Sequence, residues 1–206
     1  MQPRETIPKL SDVDVVLTTP RLKLRPLRDS DVDDLWPYVS DPQFPKMMSW
    51  AAHTDKEQTR AFIKAVHDGF VAGTDCVWAI EYVGKAWGTI GLDGITWEMR
   101  AWRVDRAEIG FWLAPPMWKQ GLMTEATLAV MRFAFEVLRL HKLTIGCFAE
   151  NAASRRVIEK CGFRYIGRHE DDVWRDGAWH SGLRFEMLAS EWNDLHTSTL
   201  RFSRKS

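Results

Sequence analysis

Three groups of residues in this sequence have types and spacing that suit chemistry. The first is Trp118-Lys119-Gln120-Gly121-Leu122, which joins an apolar strand, Ala107 to Leu113, to a helical stretch starting at Gly121. A glycine there lets another molecule approach the backbone at a helix N-terminus, where free N–H groups and the positive end of the helix dipole suit a phosphate or pyrophosphate. The same glycine also reads as a plain turn between strand and helix. The second group is Asn151 and Ser154, one helical turn apart and therefore on a shared face. Taken alone they read as a helix cap and an exposed helix residue. The third is acidic. Glu108 on the apolar strand is placed to take a proton beside a cleft, or equally to be a solvated or salt-bridged strand residue, and Glu170-Asp171-Asp172 reads as a charged strand edge. The six histidines and three cysteines show no metal-ligand or C-x-x-C spacing, so no metal site is expected.

The elements that must hold these groups follow from periodicity. Glu108, Gly110 and Trp112 alternate with Ile109, Phe111 and Leu113, and Pro115 and Pro116 stop the strand. The helix after it places Ala126, Ala129, Val130, Phe133, Val137 and Leu138 on one face. Leu143 to Phe148 then reads as a second strand, so the two strands and the helix between them form a right-handed βαβ crossover within one sheet. Asn151 opens a further helix with Ala153, Val157 and Cys161 facing inward, ended by Gly162. Upstream, Arg21 to Arg25 is a half-buried strand, and Asp29-Ser30-Asp31 opens a short helix interrupted near Pro37. Thr54 to Glu57 has capping-box spacing for a helix ending near Gly69 or Gly73. Val77 to Tyr82 and Ala86 to Ile95 form a hairpin around Gly84-Lys85, and Glu98 to Arg106 is a loop or strand extension. Tyr165 to Val173 and His180 to Leu188 form another hairpin, turning at Asp176-Gly177. The order predicts an α+β fold: a mixed, mainly antiparallel sheet of about seven strands flanked by helices, with one βαβ crossover.

Composition narrows the partners. Lys plus Arg and Asp plus Glu each number 28 in 206 residues, so nothing global favours a nucleic acid or a membrane surface, and a small or local ligand is expected. The absence of an apolar signal core and the scattered cysteines fit a cytoplasmic protein. Residues 1–17 read as an arm, 18–190 as a single domain and 191–206 as a peripheral tail. Among eleven tryptophans, Trp36, Trp50, Trp97 and Trp102 lie amid polar, Pro or Arg neighbours and either wall a pocket or join the core.

Four pieces in this order carry a resemblance: TPRLKLRPLRDSD from Thr19 to Asp31, AEIGFWLAP from Ala107 to Pro115, WKQGLMTEA from Trp118 to Ala126, and the run from Asn151 through Ser154 to Cys161-Gly162-Phe163. Together they resemble the GNAT superfamily of acyl-coenzyme-A-dependent N-acyltransferases, in its RimJ/RimL-like branch. The resemblance implies that the backbone of Lys119, Gln120, Gly121, Leu122, Met123 and Thr124 binds the coenzyme A pyrophosphate, although Trp118 and Met123 depart from the family pattern. It implies that Phe111, Trp112 and Leu113 run beside the pantetheine arm, that Asn151 contacts that arm, and that Ser154 is the general acid. Glu108 is the best-placed base; Val173 stands where RimL-like members carry an acid. The implied activity is direct acetyl transfer from acetyl-coenzyme A, without a metal, to a peptide α-amine or a small amine, by a monomer or homodimer. The competing readings are a non-catalytic acyl-coenzyme-A sensor and a drug-modifying enzyme acting on an aminoglycoside-like cation.

Overall fold

The computed structural model describes residues 7–194. Its sheet contains β1 (Leu17–Thr18), β2 (Lys23–Pro26), β3 (Cys76–Tyr82), β4 (Lys85–Met99), β5 (Trp102–Leu113), β6 (Lys142–Phe148), β7 (Arg164–Arg175) and β8 (Ala178–Leu188). They lie in the order β1-β2-β3-β4-β5-β6-β8-β7. Every neighbouring pair is antiparallel except β5 and β6, the two strands joined through helix α3 (Leu122–Arg132). This is the mixed, mainly antiparallel fold expected from the element order, with the two-residue β1 as its eighth strand.

Alternation along the strands sorts side chains between two cores. Helices α1 (Asp31–Val39) and α2 (Lys56–Ala72) cover one face, where Val32, Leu35, Val39, Ile63 and Val66 pack with Ala79 and Trp112. Helix α3 and helix α4 (Ala152–Lys160) cover the other, with Trp78, Ile90, Ile109, Phe133 and Phe185 in the larger core. Because Ile109 enters the larger core and Trp112 the smaller, Glu108 and Gly110 share the α1/α2 face with Trp112.

Several local expectations change. Helix α1 runs through Pro37 to Val39; the lost N–H falls in the last turn, where core contacts by Leu35 and Val39 hold the helix. The cap of α2 is Asp55, whose side chain accepts from Gln58 N at 2.9 Å, while Gln58 Oε1 accepts from Thr54 N. Of the two readings of Glu98 to Arg106, loop or strand extension, the second holds: the β4–β5 hairpin extends through it, with its turn at Arg100-Ala101. After α3 the chain makes a π-helical turn, Phe133–Val137, which rotates the following side chains and leaves Val137 37% exposed. In α4 it is Ile158, beside Val157 and Cys161, that enters the core, and Ala153 faces outward.

The two ends differ as well. Leu10 is buried in the larger core and Val15 O accepts the Trp78 indole N–H, so the lead-in is fastened to the sheet. At the other end Trp192, in a segment expected to be peripheral, is buried with its ring 5.6 Å from that of Phe135. Residues 1–6 of the arm and 195–206 of the tail lie outside the described residues. No helix among the described residues is long and apolar enough to cross a membrane.

Candidate active site

The sheet opens between β5 and β6. Their parallel ladder runs from Arg106↔Lys142 to Ile109↔Ile145 and stops, while β5 stays paired with β4 as far as Leu113↔Gly88 and β6 with β8 as far as Phe148↔Gly182. Gly110–Leu113 and Gly146–Phe148 therefore diverge, each held by its outer neighbour. Ala114 N donates to Trp87 O on the β4 side at 2.7 Å, and alternation turns the main-chain groups of Leu113 and Phe111 to the opposite edge, into the gap. Such groups need partners. The Leu113 carbonyl has one, the indole N–H of Trp118.

A cavity of about 690 Å³ passes through this gap. Asn151 and Ser154 line it, as do Glu108, Phe111 and Trp112. Leu113, the last residue of β5, and the turn from Lys119 to Thr124 beyond it are not among its walls. Asn151 is an ordinary cap as well as a cavity residue, because its Oδ1 accepts from Ser154 N at 3.0 Å.

At the turn, Gly121 has a φ of 76° and caps α3 without a side chain. Leu122 and Met123 bury their side chains in the core, so towards a ligand they present only main-chain groups. The Gln120 amide is used internally, donating to Pro116 O. Sequence reading missed Arg21 here. Its Nη1 donates to Gln120 O at 2.8 Å and its Nε to Glu125 Oε2 at 2.7 Å, while Thr19 Oγ1 donates to Glu125 Oε1 at 2.6 Å. Burial alone would raise the Glu125 carboxyl, but these hydrogen bonds outweigh it and hold the group below the usual carboxylate range. A glycine turn, first-turn N–H groups and a guanidinium together fit a diphosphate.

On the α1/α2 side, Asp93 of β4 lies opposite Glu108 of β5 in register. Between the next pair, Gly91 and Gly110, there is no Cβ; one on Gly110 would stand 2.6 Å from Asp93 Oδ2, so glycine is what lets the carboxylate lie across the neighbouring strand. Asp93 is an exposed residue whose carboxyl lines the cavity. Partial desolvation there, then the charges of Asp75 and Glu108, push its carboxyl up to about 6. Arg184 Nη2 donates to Asp172 Oδ2 at 2.7 Å and Nη1 lies 3.9 Å from Glu108 Oε1, so Asp172 belongs to the cavity as half of an ion pair. Glu170 instead bonds Ser181 and Arg168, and Val173 lines the cavity without an acid.

The remainder of the wall is largely apolar and aromatic, with Ser49, Thr59 and Thr89 among it. Trp50 and Trp112 touch each other and Phe44 behind them at ring-centroid distances of 5.5 to 6.1 Å, and Trp50 also meets His53 at 5.8 Å. Burial lowers the His53 pKa, leaving the ring neutral at pH 7. Of the four tryptophans considered as pocket walls, Trp50 alone lines this cavity; Trp36 and Trp97 pack against the two cores, and Trp102 is exposed on the hairpin. Among the described residues no group of three or more His, Cys, Asp or Glu is placed to hold a metal ion.

Residues 21–164 match the model of the acetyltransferase (GNAT) domain. The chain is 32% identical over 111 residues to YdaF of Bacillus subtilis (strain 168), provisionally named a ribosomal N-acetyltransferase; the match covers 54% of this chain and 58% of YdaF. It is 26% identical over 164 residues to the N-acetyltransferase YoaA of the same organism, covering 79% of this chain and 90% of YoaA. It also matches the FsC-acetyl coenzyme A-N(2)-transacetylase of Aspergillus fumigatus, at 29% over 126 residues, 60% of this chain and 53% of that protein. Two solved structures share the fold. The RimL ribosomal L7/L12 alpha-N-protein acetyltransferase in complex with coenzyme A superposes with a TM-score of 0.78 at 20% identity, covering 86% of this chain and 99% of that one. The microcin C7 self-immunity acetyltransferase MccE, in complex with acetyl-CoA and AMP, superposes at 0.76 and 19% identity, covering 85% and 99%. A parted parallel strand pair, a glycine turn capping α3 and a family match over most of the length lead to one assignment: the chain belongs to the GNAT acetyltransferase family.

Proposed function

We propose that the protein transfers an acetyl group from acetyl-coenzyme A directly to a primary amine. The observation that carries this reading is the gap between β5 and β6, whose inward-turned main-chain groups open directly onto the Asp93–Glu108 pair. The co-substrate supplies an activated thioester. Everything else is positioning and proton handling by this chain. The N–H groups from Lys119 to Thr124 hold the pyrophosphate, with Arg21 fixing the turn. The edge of β5 at Phe111 to Leu113 orients the pantetheine arm, and an N–H on that edge polarises the thioester oxygen. Holding the two reactants together lowers the barrier by roughly 7 to 11 kcal/mol.

Glu108 and Asp93 receive the proton of the attacking amine, directly or through water, and the Ser154 hydroxyl donates one to the leaving sulfur. A peptide α-amine titrates at about 8, so a useful neutral fraction exists at neutral pH and modest assistance suffices. The relatives named for acetyl transfer to a ribosomal protein or from acetyl-coenzyme A support a transferase reading over a silent binding domain.

The test is thiol release from acetyl-coenzyme A with a panel of primary amines, alongside calorimetry with coenzyme A. Amine-dependent thiol release is the expected result. Tight coenzyme A binding with no release for any amine would make the protein a sensor, and no binding would remove the reading altogether.

A further inference from the structure

Resting on the transferase reading above, we infer that the acceptor is a primary amine carrying an aromatic ring, its ring held against Trp50 and Trp112 and its amine at Asp93 and Glu108. The α1/α2 face of β4 and β5 is a grid of three facing pairs: Thr89 with Trp112, Gly91 with Gly110, and Asp93 with Glu108. Successive pairs are two residues apart, so the backbones of the aromatic and acidic pairs stand about 13 Å apart along the strands, and the Asp93 carboxylate, lying over Gly110, covers roughly half of that distance. Between them the two glycines give up their Cβ space, Gly91 to the Val77 side chain and Gly110 to the Asp93 carboxylate. The Asp93 carboxylate reaching across Gly110 meets a cation at one end.

The far end of the cavity decides the rest. Beyond Trp50 and Trp112 it is walled by Leu35, Val39, Met48 and Phe62, with Thr59 already bonded to a neutral His53. A second ammonium group, as in a polyamine or an aminoglycoside, would lose water there with no carboxylate to meet it, which disfavours its binding. An aromatic ring gains area burial and edge-to-face contact with the indoles already there. The roof is tied down as well: Arg175 of β7 donates to the carbonyls of Met48 and Trp50, so the segment bearing Trp50 is bound across the cleft to the β7–β8 hairpin. A half-open slot roofed in this way admits a small amine or the first residue of a chain end-on.

The experiment uses calorimetry on the full chain, first with coenzyme A and then, on the saturated protein, with 2-phenylethylamine, ethylamine, and two short peptides that begin with phenylalanine or serine. The ring-bearing amines are expected to bind about tenfold or more tighter than their ring-free counterparts, with that advantage falling below about threefold in Trp50→Ala. Preference for the phenylalanine peptide over 2-phenylethylamine identifies a chain terminus as the source, and the reverse identifies a small amine. Equal affinity for ring-bearing and ring-free amines, no amine binding to protein that has bound coenzyme A, or an undiminished preference in Trp50→Ala overturns the inference while leaving the transferase reading standing. Failure of the first titration, with coenzyme A itself, refutes that reading instead and the inference with it.

Discussion

The Arg21 guanidinium and the Glu125 carboxylate form a brace across the mouth of α3, with Nε–Oε2 at 2.7 Å and the Arg21 main-chain N–H donating to Oε1 at 3.0 Å. The brace joins the segment entering β2 to the first turn of α3, and a further bond to the Gln120 carbonyl sets the direction of the turn that precedes Gly121. Charge-assisted hydrogen bonds of this kind contribute roughly 1.5 to 3 kcal/mol each. Arg21→Ala is therefore expected to weaken coenzyme A binding about tenfold while the far-ultraviolet circular dichroism spectrum is retained. An unchanged Kd would show that the turn keeps its shape without the brace.

Asp93 gives the protein a pH dependence in two measurements. Its carboxyl is raised to about 6, so ionising it costs folding energy: that cost is absent below the ordinary carboxylate range and complete above pH 6. Asp93→Asn is expected to be more stable than the native chain above pH 6, by about 1 kcal/mol or less once cavity water screens the charges, and indistinguishable from it below pH 4. Urea midpoints at the two pH values measure this. In kinetics, kcat/KM should rise as pH passes through about 6, and the same variant should lose or shift that rise.

Ser154→Ala isolates the hydroxyl. The bond that caps α4 runs from the Ser154 main-chain N–H to Asn151 Oδ1, so alanine preserves it. Turnover is expected to fall about a hundredfold with coenzyme A affinity unchanged, as loss of a general acid requires. Single-turnover rates at saturating co-substrate would show it, and a native rate would remove Ser154 from the scheme.

Asp31 supports the acceptor wall from below. It takes two hydrogen bonds from Arg25, at 2.7 and 2.8 Å, in a pair whose side chains are 3% and 5% exposed, and it also accepts from Arg28 N. Arg25 also pairs with Glu81, so Asp31→Ala leaves the buried guanidinium with one carboxylate and should cost about 1.5 to 3 kcal/mol in chemical denaturation.

The sequence made the crossover and the turn at Gly121 legible because both depend on local signals: apolar runs of fixed period, and a glycine where the backbone turns left-handed. Asp93 stayed hidden for a reason of register. Glu98 to Arg106 is charged and aromatic and lacks clean alternation, so nothing local marks it as ladder. Two irregularities in that hairpin offset each other, and Met99↔Trp102 at the turn shares one register with Asp93↔Glu108. Arg21 and Glu125 stand more than a hundred positions apart in the chain, and their pairing depends on the packing of α3 against the sheet. Val137 was misplaced because a π-helical turn breaks the helical period on which its inward position rested.

Arg175 grips the roofing loop by its peptide oxygens, at Met48 and Trp50, and leaves the side chains of those residues out of the bargain. Either side chain is therefore exchangeable without unfastening the loop. Such a lineage can retune which amines it accepts by single substitutions at 48 and 50 while these main-chain bonds keep the loop above the cleft in place.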